Sequence, residues 1–258
     1  MLPNIIADLR ADFDSLAVFS DFDGTLVDLA PTPDSIVVPP GLGATLAGLA
    51  GRLDRAVAIV SGRPIAELDG YLAPARLPAA GAHGAERRRA DGGYEGPPAE
   101  IADAVAGIAG ALAPLVAGRP GLLLEPKPGA VALHYRQAPE LEALCRDAMA
   151  AAVAGNPGFT VMAGKMVVEA RPAAISKGEA VRRFMAEAPF AGRRPVFIGD
   201  DTTDEDGFAA VQQLGGTGVK VGAGDSAAQL RLADTAAVRQ LIGDLADAAA
   251  GAPGRAAR

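Results

Sequence analysis

The chain has 258 residues, half of them apolar, enough for one large domain or for a core domain that carries a smaller one. With no Trp and few aromatics, its packing must rely on Ala, Gly, Val and Leu at close approach. A net charge of −7, with no basic stripe beyond Arg87, Arg88 and Arg89, argues against nucleic acid as a partner, and those three arginines read as a solvated turn.

Met1 to Ser15 has neither the basic flank nor the apolar stretch of a leader. No run of about 18 apolar residues is free of charges or glycine strings, so we expect a soluble cytoplasmic chain with no membrane partner. Leu16 to Ser20 is a short apolar run without helical period, a buried strand. Leu42, Leu46, Leu49 and Leu53 recur at helical spacing. Ala56 to Val60 is a second strand, and Pro64 to Leu72 a helix with Pro64 in its first turn. Leu77 to Gly81 is a third strand. This alternation predicts a doubly wound parallel sheet.

Composition shifts after Gly84. Arg87 to Pro98 reads as a polar linker. Ile101, Val105, Ile108, Leu112 and Leu115 form a helical stripe. Leu122 to Glu125 and Val131 to Tyr135 form a hairpin around Pro126 to Gly129. Pro139 opens a helix in which Cys145 reads as a small core residue; as the single cysteine it excludes an intrachain disulfide. Phe159 to Ala163 and Met166 to Glu169 form a second hairpin across Gly164 and Lys165. The middle of the chain therefore reads as two helices over an antiparallel sheet. After Pro172, Ser176 and Glu179 make a capping box for a helix. Pro195 to Ile198 is a strand, Thr203 to Leu214 a helix, Val219 to Val221 a strand, Val238 to Ala250 a last helix, and Gly251 to Arg258 a tail. The expected domains are residues 1–86 with 172–258, and an inserted α/β domain at 87–171.

Four places carry chemistry. In Asp21-Phe22-Asp23-Gly24-Thr25, two carboxylates stand two residues apart at the end of a buried strand, so extended backbone turns both toward one crevice. Gly24 permits a tight turn and lets its amide approach an anion. Two like charges so close call for a hard divalent cation. Asp12-Phe13-Asp14 has the same spacing, but no strand precedes it and no Gly-Thr follows it, and it reads as solvated. Ser61-Gly62-Arg63, ahead of a helix start, makes a phosphate cradle at the same end of the sheet. Lys177 opposes the dipole of its capped helix, a cost that a bound phosphate would offset. Asp200 and Asp201 follow a buried strand and precede a helix, where magnesium ligation gives them a reason. Glu205 and Asp206 need no more than the helix dipole.

In this order the four features resemble the motif series of the haloacid dehalogenase superfamily of phosphatases. That resemblance implies a Rossmannoid core with an inserted α/β cap. It further implies that Asp21 attacks phosphorus to give an aspartyl-phosphate, while Asp23 protonates the leaving oxygen and then activates water. Mg²⁺ would be held by Asp21, the backbone carbonyl of Asp23 and Asp200, with Asp201 and Asp204 orienting its other ligands. Ser61 and Lys177 would hold the transferring group. Gly24, Thr25, Gly62 and Arg63 are expected among the substrate-binding residues, Arg63 from behind.

Longer strings resemble the trehalose-6-phosphate phosphatases, over a span from about Ser20 to Val238. They are Gly81-Ala82-His83-Gly84-Ala85-Glu86, Glu125-Pro126-Lys127 with His134-Tyr135-Arg136, Gly164 to Pro172, and Gly199 to Glu205. The resemblance implies that Glu125, Lys127, Arg136, Lys165 and Glu169 meet the sugar hydroxyls of trehalose 6-phosphate from the cap. A disaccharide has many hydroxyls and little apolar surface, so charged hydrogen-bonding side chains suit it. Without that resemblance the same residues read as surface ion pairs between strands. The expectation is a freestanding, monomeric phosphatase. The rivals are a sucrose-phosphate or mannosyl-phosphoglycerate phosphatase, a phosphohexomutase, and a non-catalytic sugar-phosphate sensor, the last disfavoured because Asp21 and Asp23 are both present.

Overall fold

The structure is a computed structural model that describes residues 9, 11–30, 35–164 and 166–248. Lys165, Ala249, Ala250 and the tail 251–258 lie outside the described residues, as do the first eight. The chain divides into two compact units, Met1–Tyr94 with Ser176–Arg258, and Glu95–Ile175.

The first unit is built on the apolar runs. β1 (Leu16–Ser20) and β2 (Val57–Val60) are buried at every position, as strands covered on both faces must be. With β3 (Ala79–Gly81), β10 (Arg194–Gly199), β11 (Thr217–Val221) and β12 (Leu230–Leu232) they form a parallel sheet. β4 (Glu86–Arg88) adds antiparallel to β3, and β5 (Tyr94–Glu95) stands at the edge. The order is β12-β11-β10-β1-β2-β3-β4-β5. From β1 the chain winds one way through β2 and β3, and after the second unit it winds the other way from β10. The switch falls between β1 and β10, where open α/β sheets bind ligands beyond the strand ends.

Helices α1 (Leu42–Arg52) and α2 (Ile65–Leu72) follow β1 and β2; α3 (Ala99–Ala117) and α4 (Glu142–Val153) belong to the second unit. Then come α5 (Lys177–Met185), α6 (Glu205–Gln213) and α7 (Thr235–Ala248), with α5 packed on α6 and α1 on α7. Lacking Trp, the core gathers its few rings: Phe19 stacks on Phe190 at 5.3 Å, and Phe184 meets Phe190 at 5.1 Å.

Three local expectations are corrected. Arg87 and Arg88 are not a solvated turn: both are buried on β4. Arg88 forks onto Asp69 at 2.6 and 2.7 Å, and Arg87 reaches Glu187 at 2.7 Å over the ring of Phe184. Hydropathy assigns such residues to water, but planar bidentate pairing lets a guanidinium be buried. Because β4 and β5 extend the sheet, the first unit runs to Tyr94 rather than to residue 86. Pro64 is the N-cap of α2, in extended conformation, rather than a residue of its first turn. β12 carries Arg231 at its centre, so no apolar run announced it.

In the second unit, β6 (Leu123–Lys127), β7 (Ala130–His134), β8 (Phe159–Gly164) and β9 (Val167–Pro172) form an antiparallel sheet in the order β6-β7-β9-β8. α3 (Ala99–Ala117) and α4 (Glu142–Val153) share its core, which contains Val105, Ile108, Leu112, Val131, Leu133, Cys145, Met149 and Val168. Cys145 is fully buried there, as expected. By length and composition alone α3 is apolar enough to cross a bilayer; its Val105, Ile108 and Leu112 stripe lies in this core.

Candidate active site

Asp21 is the first residue after β1, buried, and its amide donates to the carbonyl of Ile198 on β10 at 2.9 Å. The chain then turns on Gly24, whose φ of 75° lies in the left-handed region that favours glycine. A second constraint acts there: a Cβ on Gly24 would stand 2.2 Å from Oδ2 of Asp200. The loop after β1 thus lies directly against the loop after β10. The Gly24 amide, expected to approach an anion, donates instead to Val27 O at 2.8 Å. The Thr25 hydroxyl, expected on substrate, donates to Oδ1 of Asp200 at 3.2 Å. Both residues serve the contact between the two loops.

Lys177 opens α5 behind Ser176, whose side chain accepts from the Glu179 amide. Its ammonium is buried, 3.1 Å from Oδ1 of Asp21 and 2.7 Å from Oδ1 of Asp204. Burial works to lower its pKa, but Asp21 and Asp204 together hold it above the usual lysine value. Asp204 is fully enclosed. Its other oxygen accepts from the amides of Asp200 at 2.9 Å and Asp201 at 3.0 Å, so it ties the loop after β10 into shape. Asp201 caps the turn that follows by accepting from the Thr203 amide at 2.7 Å.

This cluster is too acidic for a single lysine. Ligand oxygens of Asp21, Asp200 and Asp204 lie within 4.8 Å of one another. Burial pushes the Asp21 carboxyl well above the ordinary range against the pull of Lys177, and raises Asp204 likewise. Burial, with Asp204 and Asp201 adding to it, brings Asp200 up to about 6. For Asp201 burial also raises, but Lys177 and the two bonds from Thr203 outweigh it and leave the carboxyl low. Carboxyls held up in this way gain from a bound cation, and a hard divalent ion with oxygen ligands fits the donor set. With both oxygens of Asp204 engaged, Asp21 and Asp200 are the carboxylates placed to hold it.

Lys220 escaped the sequence reading. It is buried on β11 in register with Gly199, and its ammonium donates to the backbone carbonyl of Asp200. The available signal was a lysine in the middle of an apolar strand, where a charge needs a buried partner.

Ser61 directly follows β2, which pairs with β1, and accepts through Oγ from the Arg63 amide at 3.2 Å. Arg63 grips Asp23 with two bonds, Nε to Oδ2 at 2.6 Å and Nη2 to Oδ1 at 2.8 Å. After β3 the chain passes through two left-handed non-glycine residues, Ala82 (φ 47°) and His83 (φ 59°). This turn is bolted across the Ser61 loop, His83 N–H to Ser61 O at 2.9 Å and Ala82 N–H to Arg63 O at 3.0 Å. The His83 ring then covers Gly62, where a Cβ would come within 2.9 Å of Cε1 and Nε2. Gly62 is therefore needed for close approach, a reason the sequence did not supply.

In the second unit, register puts Glu125 on β6 and Glu169 on β9 on either side of Ala132. Lys127 reaches toward both, at 3.5 and 3.8 Å, and His134 meets Glu125 at 2.8 Å. Arg136 stands exposed in the turn after β7, and Lys165 lies outside the described residues.

Comparison with known proteins gives a consistent result. The sequence model of the family described as trehalose-phosphatase matches residues 19–236. The trehalose-6-phosphate phosphatase of Escherichia coli is 47% identical over 218 residues, 84% of this chain and 81% of that protein. A probable trehalose-phosphate phosphatase of Sinorhizobium fredii is 45% identical over 223 residues, covering 85% and 82%. A crystal structure described as a trehalose-6-phosphate phosphatase related protein superposes with a TM-score of 0.76 at 26% identity, over 92% of this chain and 99% of that one.

Proposed function

The chain belongs to the trehalose-phosphatase family, and from that premise we propose that it hydrolyses trehalose 6-phosphate to trehalose and inorganic phosphate in trehalose synthesis. It is a phosphatase with a haloacid dehalogenase-like fold. The observation that carries the mechanism is the buried Asp21, Lys177 and Asp204, with the half-buried Asp200 beside them, where the sheet reverses its winding.

In this reading a carboxylate oxygen of Asp21 attacks phosphorus as the bond to the sugar oxygen breaks, leaving an aspartyl-phosphate. Asp23 gives its proton to the departing sugar oxygen. It then takes a proton from the water that attacks phosphorus and releases Asp21. Lys177, 3.1 Å from Asp21, favours the ionised nucleophile against burial and, with Ser61, binds the oxygens of the transferring group. Mg²⁺ would be held by Asp21, the Asp23 carbonyl and Asp200, and would supply neutralisation of phosphate charge. Asp204 and Asp201 keep the Asp200 loop in place through the amide bonds described above.

The second unit reads the sugar. Glu125, Lys127, Arg136, Lys165 and Glu169 hydrogen-bond the hydroxyls, and the half-exposed pairs around Lys127 supply both donors and acceptors. The enzyme works as a cytoplasmic monomer with no partner beyond its substrate. The test is phosphate release by the purified protein over a panel of sugar phosphates, with Mg²⁺ and after chelation. Trehalose 6-phosphate should lead the panel, with turnover lost in EDTA and restored by Mg²⁺. Preference for sucrose phosphate, or full turnover after exhaustive chelation, would reject the substrate or the metal.

A further inference from the structure

Arg63 was expected to stand among the substrate-binding residues, yet its donors are directed elsewhere. Nε and Nη2 fork onto the two oxygens of Asp23 at 2.6 and 2.8 Å, and Nη1 reaches Oε2 of Glu67, one turn along, at 3.1 Å. The guanidinium is buried, with its carbon 5.1 Å from the ring centre of Tyr71 and 6.0 Å from that of Phe22, two rings that stack on each other at 5.8 Å. Its backbone is fixed too, through the bonds to Ser61 Oγ and from the Ala82 amide. Asp23, by contrast, sits in a turn with its side chain partly exposed, and among the described residues Arg63 is its one ion-pair partner.

We infer that Arg63 is the positioning residue for the Asp23 carboxylate and not a ligand of the phosphate. This rests on reading Asp23 as the group that moves the proton. Each carboxylate oxygen has two lone-pair directions, and the fork takes one on each, so the outer direction stays open for a proton. Two parallel bonds fix the plane of the carboxylate, which a single ammonium cannot do. A proton donor misplaced by about 1 Å can cost about a hundredfold. The loss should therefore fall on substrates whose leaving oxygen needs a proton.

The test is steady-state kinetics of Arg63→Lys and Arg63→Ala on trehalose 6-phosphate and on 4-nitrophenyl phosphate, whose leaving group departs with little protonation. Asp23→Asn serves as the reference. We expect kcat on the sugar phosphate to fall about 10- to 100-fold with KM within about threefold, and kcat on the aryl phosphate to fall at least about tenfold less. Guanidinium in the buffer should restore part of the sugar-phosphate turnover of Arg63→Ala. Should the Ala variant fail to fold, Arg63→Lys and Glu67→Gln carry the same comparison, the latter with a few-fold loss of the same selectivity. Equal losses on both substrates, a raised KM with unchanged kcat, or no loss would overturn the inference. If Asp23→Asn itself turns over the sugar phosphate normally, the acid–base reading fails first. If the wild type prefers another sugar phosphate, the same comparison is read on that substrate.

Discussion

The two units handle charge in opposite ways. In the first, the side chains of Asp21, Lys177 and Asp204 are 6%, 2% and 0% exposed, and their contacts are 2.7 to 3.1 Å long. In the second, Glu125, Lys127 and Glu169 are 46%, 25% and 19% exposed, with contacts of 3.5 and 3.8 Å. A buried cluster on strand ends cannot relax, so its field is in place before anything binds. Exposed pairs on an antiparallel sheet contribute little to stability, typically below about 1 kcal/mol, and exchange one partner for another cheaply. On the proposed function, the first arrangement would serve bond breaking at phosphorus and the second the selection among sugars.

The sharpest way to break this contrast is Asp21→Asn. Phosphate release should fall by about a thousandfold or more on sugar and aryl phosphates alike, while the melting temperature stays within a few degrees. Activity near wild type with normal melting would remove Asp21 as the nucleophile. Next is Glu169→Ala or Lys127→Ala. Here kcat/KM for trehalose 6-phosphate should drop by about one to three powers of ten, because polar partners are left unpaired, and a small aryl phosphate should change less than about threefold. Equal losses on both substrates would mean that the second unit supports the chemistry or the fold.

A smaller effect is expected at the joint between the two loops of the first unit. Gly24→Ala places a methyl against Asp200 at a left-handed position, which should cost about 1–3 kcal/mol of stability in urea unfolding. It should also shrink the rise in melting temperature on adding Mg²⁺, and an unchanged Mg²⁺ response would separate Gly24 from the metal site. The smallest effect concerns pH. Asp200 is raised to about 6 in the fold, above the ordinary carboxylate value, so the folded chain binds this proton more tightly than the unfolded one. Its contribution to stability is therefore fully present at low pH and is lost as pH rises through about 6. Metal-free protein should melt a few degrees higher near pH 5 than near pH 7, and saturating Mg²⁺ should remove that gain. A melting temperature that rises from pH 5 to pH 7 without metal would contradict the assignment.

Much of this was legible from local order. β1 coincides with the run Leu16–Ser20 that the sequence marks, because a strand covered on both faces is written largely in apolar residues. Asp21, Ser61, Lys177 and Asp200 stand where the sequence pattern places them, each at a strand end or a capped helix start. The cap at Ser176 is likewise a matter of three residues. Other features depend on partners that no local pattern names. Thr25 turns to Asp200 across 175 residues, Arg87 to Glu187 across 100, Arg63 to Asp23 across 40, and Lys220 to Asp200 across 20. Periodicity and capping are short-range properties, written within a few residues of where they act. Whether a charge is solvated, buried or directed at substrate depends on which opposite charge folding brings to it, and only the tertiary structure decides that.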